Sequence, residues 1–220
     1  MSAQPGIGFV LLAFPALLSI INPLGGAFMF LGATKRLSRD MRAHLARWVA
    51  IHSFIILNVS LYVGAYVLEF FGISIPVLRV AGGLVIALAG WNLLNAREEG
   101  QDQSAVEAVH ARDASRIAFY PLTMPITTGP GTISVAVALG TSRPDQIRDF
   151  ALFFLAATLV TGLMSLIIYA LYRYADRVSN VVGPTGTTII VRLSAFLLFC
   201  IGIQVLWNGA SELIAGLIAR

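Results

Sequence analysis

The residues best suited to bind a small molecule lie in two short segments rich in proline, glycine and hydroxyl side chains. Residues 21–26 read Ile-Asn-Pro-Leu-Gly-Gly, and residues 128–133 read Thr-Gly-Pro-Gly-Thr-Ile. Proline lacks an N–H group and clashes with the carbonyl four residues back, while glycine permits backbone angles that end one helix and start another. Each segment therefore predicts a break inside a helix, where N–H and carbonyl groups become available to a ligand.

Both segments lie within long stretches that carry almost no charge. The chain has 220 residues, of which 57% are hydrophobic and 12% are charged, and its mean hydropathy is +0.82. Because ~20 helical residues cross a ~30 Å hydrocarbon core, the composition predicts an all-α membrane protein with six transmembrane helices, of which helices 1 and 4 are broken. The six stretches are residues 7–33, 48–68, 77–95, 117–140, 150–172 and 188–209.

Composition and spacing argue against several other classes of protein. The net charge of +4 does not indicate nucleic acid, because the basic residues cluster at helix ends, where anionic lipid headgroups are the simpler partner. The single cysteine, Cys200, lies inside the sixth stretch, so neither a disulfide framework nor a thiolate metal site is expected. No paired carboxylates, Ser/His/Asp set, metal-ligand spacing or phosphate loop is visible. We therefore expect neither an enzyme nor a cofactor.

The two halves of the chain resemble each other. Three crossings per half is an odd number, so the second copy enters the membrane from the opposite side and the repeats are inverted. The predicted units are residues 1–96 (first three-helix repeat), 97–116 (cytoplasmic linker) and 117–220 (second repeat). The aligned pairs are Pro23 with Pro130, Thr34 with Thr141, Arg79 with Arg192 and Asn95 with Asn208.

The distribution of lysine and arginine predicts the orientation, because cytoplasmic loops carry an excess of both. Ten basic residues follow helices 1, 3 and 5, and three lie on the other side. This bias places the basic side in the cytoplasm and both termini outside. The ten are Lys35, Arg36, Arg39, Arg42, Arg47, Arg97, Arg112, Arg116, Arg173 and Arg177, and the three are Arg143, Arg148 and Arg220.

Broken helices at matching points of inverted repeats are typical of the substrate sites of secondary transporters. The N-termini of the two second half-helices would converge near the midplane and favour a carboxylate, while the carbonyl ends of the first halves would favour an ammonium or a cation. A zwitterion satisfies both. The alternative is that each proline only kinks its helix and each threonine bonds a helical carbonyl. The candidate binding residues are Asn22, Pro23, Gly25, Thr127, Thr128, Gly129, Pro130, Gly131 and Thr132.

Two arginines occupy matching positions early in helices 3 and 6. Arg79 and Arg192 either extend to the headgroups or act as gating or pairing residues.

Four segments carry a resemblance to a known family: residues 22–25 (Asn-Pro-Leu-Gly) with the Thr-Lys-Arg-Leu run that follows, residues 79–83, residues 121–125 and residues 128–132. Together they resemble the MarC family of six-helix membrane proteins over essentially the whole chain. The resemblance implies a multi-pass protein of the prokaryotic cell (inner) membrane. It also implies relatives that are regarded as transporters of small neutral amino acids.

The sequence thus favours a secondary transporter that moves a small neutral solute, such as a small neutral amino acid, by alternating access. The alternatives are a passive channel and a membrane-embedded subunit or enzyme, for instance an electron-transfer partner. The expected partners are a small-molecule substrate and membrane lipid, with a homo-oligomer left open.

Overall fold

The fold is built from α-helices, seen here in a computed structural model that describes residues 5–35, 37–95, 114–141 and 147–218. The described helices are α1 (Pro5–Ile21), α2 (Pro23–Ala33), α3 (Arg39–Phe70), α4 (Ile75–Asn95), α5 (Ala114–Ile117), α6 (Pro130–Gly140), α7 (Ile147–Arg173) and α8 (Ala175–Ile218). An irregular helical segment with π-type hydrogen bonds, Ala118–Thr127, joins α5 to α6.

Within the described residues, five helical segments are long and apolar enough to cross a membrane: Gly6–Ala33, Arg39–Phe70, Ile75–Asn95, Phe150–Arg173 and Thr185–Ile218. The predicted fourth stretch, residues 117–140, is not one continuous helix, because it divides into the irregular segment and the short α6. Most of the predicted linker, residues 97–113, lies outside the described residues.

The helix that contains residues 48–68 is longer than the charge-free stretch. It begins at Arg39, where the Ser38 hydroxyl accepts a hydrogen bond from the N–H of Met41. A serine in this position satisfies one of the free N–H groups of the first turn. The helix therefore starts at its cap and continues through polar residues before it enters the apolar stretch.

Helices α1 and α2 run side by side with α7 in the same direction. The rings of Phe9 and Phe153 lie 4.6 Å apart near one end, and those of Phe30 and Tyr172 lie 4.8 Å apart near the other. On its second side α7 packs antiparallel to α3, where the Asn58 side chain donates to the Thr161 hydroxyl at 2.9 Å. These helices enclose the apolar core.

Helices α4 and α8 form a tight antiparallel pair. A Cβ built on Gly83 would lie 2.3 Å from the backbone nitrogen of Leu206, and one built on Gly90 would lie 2.5 Å from that of Phe199. The absence of side chains at these glycines lets the two backbones approach closely, as in other membrane helix pairs. Their outer faces carry exposed apolar side chains, such as Leu84, Leu88 and Phe196, which suit a lipid environment.

We call the end of the bundle where α2 and α7 finish the basic end. Here Arg42 of α3 forms an ion pair with Asp176 of α8 at 2.6 Å. Beyond that residue, α8 bends at Gly183, whose φ of 76° is favourable only for glycine. We call the other end, where α3 finishes at Phe70, the opposite end.

Candidate functional site

The first helix break is centred on Asn22. Its φ of 45° and ψ of 61° lie in the left-handed region, which asparagine tolerates better than most residues. Its side-chain oxygen accepts a hydrogen bond from the N–H of Gly25 at 3.3 Å, and Pro23 follows as the first residue of α2. Asn22 therefore ends α1 and caps α2, since asparagine before proline suits the start of a helix.

The second break is longer because three prolines disturb it. Tyr120 and Met124 both have extended backbones within the irregular segment, and each precedes a proline, which disfavours the helical conformation in the residue before it. The Thr123 and Thr127 hydroxyls donate to carbonyls five residues back, at 2.6 and 2.7 Å. These side chains supply bonds for carbonyls that the irregular backbone leaves without a regular helical donor.

The start of α6 differs from the start of α2 in its capping. Gly129 is extended, with φ −83° and ψ −179°, and Pro130 is the first residue of the helix. No side chain among the described residues caps this end, whereas Asn22 caps α2. The first turn of α6 therefore offers N–H groups that no side-chain cap occupies.

The two half-helices lead away from the breaks toward opposite ends of the bundle. α2 continues to the basic end, where Phe30 meets Tyr172. α6 follows α3 in the other direction: Thr128 donates to Ser53 at 2.8 Å, and a Cβ on Gly140 would lie 2.0 Å from the Leu61 carbonyl oxygen. Each half-helix therefore has its N-terminus near the middle of the bundle.

Both breaks open onto one cleft of about 210 Å³. Three of the nine predicted residues lie outside its lining: Pro23 is buried, Gly25 packs against Ser194, and Thr128 bonds Ser53. Gly26, which was not among the predicted residues, belongs to the lining. The cleft brings together the other six, namely Asn22, Thr127, Gly129, Pro130, Gly131 and Thr132.

The rest of the wall is apolar and was not predicted. Val85, Ile86, Ala89 and Leu93 line the cleft from α4, and Leu198 lines it from α8. The α4 positions fall on one helix face. In a membrane helix, however, apolar residues occupy every face, so the sequence holds no contrast that would mark these positions as a binding wall.

Tyr172 connects the two breaks and was also missed. Its side chain is 1% exposed, and its hydroxyl lies 2.8 Å from that of Thr127. Because Thr127 donates its own proton to the Leu122 carbonyl, Tyr172 is the donor in this pair. A Cβ on Gly26 would lie 2.5 Å from the Tyr172 hydroxyl oxygen. In the sequence, a tyrosine near a helix end indicates an interfacial anchor, which hides this role.

The two matching arginines lie outside the cleft lining. Arg79 of α4 forms an ion pair with Glu212 of α8. Arg192 of α8 lines a second void toward the basic end. His52 is also outside the lining: its ring lies between those of Trp48 and Phe119, and its buried Nδ1 atom has no hydrogen-bond partner in the described part of the chain.

Comparison with known proteins identifies the family. The family model for MarC family integral membrane proteins matches residues 7–214. The chain belongs to the MarC family.

The MarC family relatives span nearly the whole chain. The inner membrane protein MarC of Escherichia coli O1:K1 is 35% identical over 95% of this chain and 95% of its own length. The MarC proteins of Escherichia coli K12 and Shigella flexneri are each 34% identical over the same shares. No solved structure matches the chain. The described helices agree with a multi-pass protein of the inner membrane.

Proposed function

We propose that this MarC family member is a secondary transporter that moves small neutral amino acids across the inner membrane. It works by alternating access of two inverted three-helix repeats. The observation that carries the proposal is the cleft, onto which both helix breaks open. Helix N-termini that face a shared cleft from two repeats are the arrangement that secondary transporters use to hold a small solute.

The polar groups of the cleft suit a zwitterion. The uncapped start of α6, at Gly129 to Gly131, offers a partial positive charge and N–H donors to a carboxylate. The end of α1 at Ile21, which lies in the same lining, carries the partial negative charge of a helix C-terminus and suits an ammonium group. A small amino acid would bridge the two.

The volume and the apolar wall restrict the size of the solute. At about 210 Å³ the cleft is smaller than the ~300–1,000 Å³ typical of pockets for drug-sized ligands. The apolar side chains of Val85, Ile86 and Ala89 face the same space. A short apolar side chain, such as that of alanine, fits this wall better than a long or charged one.

The inverted repeat supplies the alternating access. α2 and α6 are both 11 residues long, and each begins on an aligned proline, Pro23 or Pro130. Each is followed by an aligned threonine, and Thr34 donates to Phe30 while Thr141 donates to Ala138. The two similar half-helices lead from one cleft toward opposite ends of the bundle. Each can therefore line one of the two exits that alternating access requires.

A thermal-stability screen of the purified protein against amino acids tests the proposal. Glycine, alanine and serine should raise the melting temperature, because a ligand that binds only the folded state stabilises it. Thr132→Val removes one hydroxyl from the cleft wall and should reduce the rise. The matched control is Thr141→Val at the far end of α6, where the threonine is exposed. Gly131→Leu is a poorer test of ligand binding, because even a Cβ at this position would clash with Ile86 at 2.1 Å.

Transport itself is measured in proteoliposomes. Saturable counterflow of the stabilising amino acid is expected of a carrier and not of a passive channel. If no amino acid stabilises the wild type, or if Thr132→Val and Thr141→Val respond alike, the proposed site is wrong.

A further inference from the structure

A second void lies next to the cleft, toward the basic end, and encloses about 400 Å³. We call it the basic vestibule. Its charged lining residues are Lys35, Arg42, Asp176 and Arg192. Hydroxyl side chains of α8, such as Thr187 and Thr188, complete the polar part of the wall. The vestibule is therefore a polar space, in contrast to the largely apolar cleft.

Two side chains belong to the walls of both voids. Met29 of α2 and Leu93 of α4 line the cleft and also line the basic vestibule. Methionine is unbranched and changes rotamer readily, and such changes occur in picoseconds to nanoseconds at exposed positions. The partition between the two voids therefore includes side chains that can move aside without a shift of the helices.

The vestibule carries an excess of positive charge. Its lining includes the cationic side chains of Lys35 and Arg42 and the anionic side chain of Asp176, and because Arg42 and Asp176 are paired at 2.6 Å, Lys35 supplies the excess. A concave space with one sign of charge concentrates ions of the opposite sign. A solute that presents a carboxylate is therefore attracted, and a cation is repelled.

At the opposite end of the bundle, the described residues that align with the vestibule wall are closely packed. Gly32 lines the vestibule and is exposed, whereas the aligned Leu139 of α6 is 7% exposed. Met29 aligns with Ala136, which is fully buried. A Cβ on Gly140 would lie 2.0 Å from the Leu61 carbonyl oxygen, so the end of α6 packs directly on α3. Among the described residues, the wide space that shares wall residues with the cleft lies on the basic side.

We propose that the basic vestibule is the access route to the cleft, that Met29 and Leu93 close it, and that it admits carboxylate-bearing solutes in preference to cations. The inference deepens the proposed function and rests on it for the identity of the solute. The route itself can be tested with small reagents that are not substrates.

Cysteine accessibility provides that test. In a Cys200→Ala background, Ile86→Cys places a single thiol on the cleft wall, at a residue that is 4% exposed and lines the cleft but not the vestibule. Two membrane-impermeant methanethiosulfonates, the anionic sulfonatoethyl and the cationic trimethylammonium-ethyl reagents, are added to one face of oriented membrane vesicles at a time. The rate at which each reagent modifies the protein is divided by the rate at which the same reagent reacts with a small free thiol in solution.

We expect modification from the basic face, with the normalised rate of the anionic reagent roughly tenfold that of the cationic one, at the low end of electrostatic steering effects. Leu93→Trp should slow both reagents at least several-fold, and Leu93→Ala should speed them. The matched control is Leu88→Trp on the exposed face of the same helix. Lys35→Glu should reduce the preference for the anion.

Modification only from the opposite face, or equal normalised rates for the two reagents, would overturn the proposal. So would a Leu93→Trp rate equal to that of Leu88→Trp. Thr132→Cys, at a residue of the cleft lining that is 4% exposed, serves as a second reporter if Ile86→Cys does not fold. The reagents measure access and not recognition. Amino-acid binding together with a negative accessibility result would therefore discard the route and leave the proposed function standing.

Discussion

At the scale of single residues, Tyr172 shows how one side chain couples two helix breaks. Its hydroxyl donates to Thr127 in the second break and occupies the space that a side chain on Gly26, just after the first, would need. A displacement of the end of α7 would therefore alter the contacts of Tyr172 at both breaks. The residue positions the cleft without lining it.

This arrangement predicts a rescue between two substitutions. Gly26→Ala should lower the melting temperature, because the new Cβ would lie 2.5 Å from the Tyr172 hydroxyl oxygen. Tyr172→Phe alone should cost about 1 kcal/mol, the usual value of a buried hydrogen bond. In the double variant the closest remaining atom is 3.4 Å away, so the combined loss should be clearly smaller than the sum of the two.

Thermal unfolding of the four proteins in the same detergent measures this coupling. Tyr169→Phe is the control, because Tyr169 accepts a hydrogen bond from Arg173 near the end of the same helix and contributes none of the three atoms nearest a Cβ on Gly26. Additive losses in the Gly26/Tyr172 cycle would show that the two residues do not meet.

Asn22 allows a second prediction at the residue scale, because its backbone and its side chain have separate tasks. Asn22→Gly keeps the positive φ accessible but removes the cap, so it should lower stability by only a few tenths of a kcal/mol. Asn22→Ala loses the cap and disfavours φ 45°, so its loss should be roughly 1–2 kcal/mol. Thermal unfolding ranks the variants, and an alanine variant as stable as the glycine variant would contradict the left-handed assignment.

At the scale of helices, α4 and α8 pack with their backbones in close contact. Gly83→Ala should destabilise the protein strongly, because its Cβ would lie 2.3 Å from the Leu206 nitrogen and 2.7 Å from the Gly202 oxygen. Backbone atoms cannot rotate aside as a side chain can. Gly216→Ala near the end of α8 is the control, since no atom outside its own helix turn lies within 4 Å, and it should leave the melting temperature unchanged or raised.

The helix breaks themselves were predictable, and the walls around them were not. Pro23 and Pro130 stand out because proline and glycine are the residues that alter backbone geometry, whatever the solvent. The full length of α3 was not predictable from charge alone, since the helix extends beyond the apolar stretch to its Ser38 cap. The irregular segment before α6 depends on the successive prolines 121 and 125, whose combined effect on Tyr120 and Met124 no periodicity reveals.

The apolar wall of the cleft was not predictable for a different reason. In a soluble protein, a buried apolar face stands out against polar residues, but in a membrane chain Ile86 in the cleft and the exposed Leu88 have the same chemical character. The location of the cleft therefore follows from tertiary packing. Only the structure shows how α4 packs against the two breaks.

At the scale of the whole molecule, the charge of the cleft lining bears on how transport would respond to the membrane potential. None of the described residues that line it is ionisable: all are apolar residues, glycine, proline, asparagine or threonine. A zwitterion adds no net charge to this space. If no ion accompanies it, its uptake into proteoliposomes should not change when a potassium gradient with valinomycin sets the interior negative or positive.

Measured flux at the two polarities decides the point. One transported charge would gain ~2.3 kcal/mol per 100 mV, so an accompanying proton or sodium ion would produce a clear difference between the polarities. Equal flux is the expected result, and a strong voltage dependence would mean that an ion shares the cleft.

The uncharged lining of the cleft also bears on what the cell could gain from such a protein. A carrier that moves no net charge takes no work from the membrane potential, and if it also exchanges no second solute, it can only level a concentration difference and cannot build one. Such a device suits overflow: it would let a surplus amino acid leave when the cytoplasm holds more than the medium, and it would stop by itself when the two are equal.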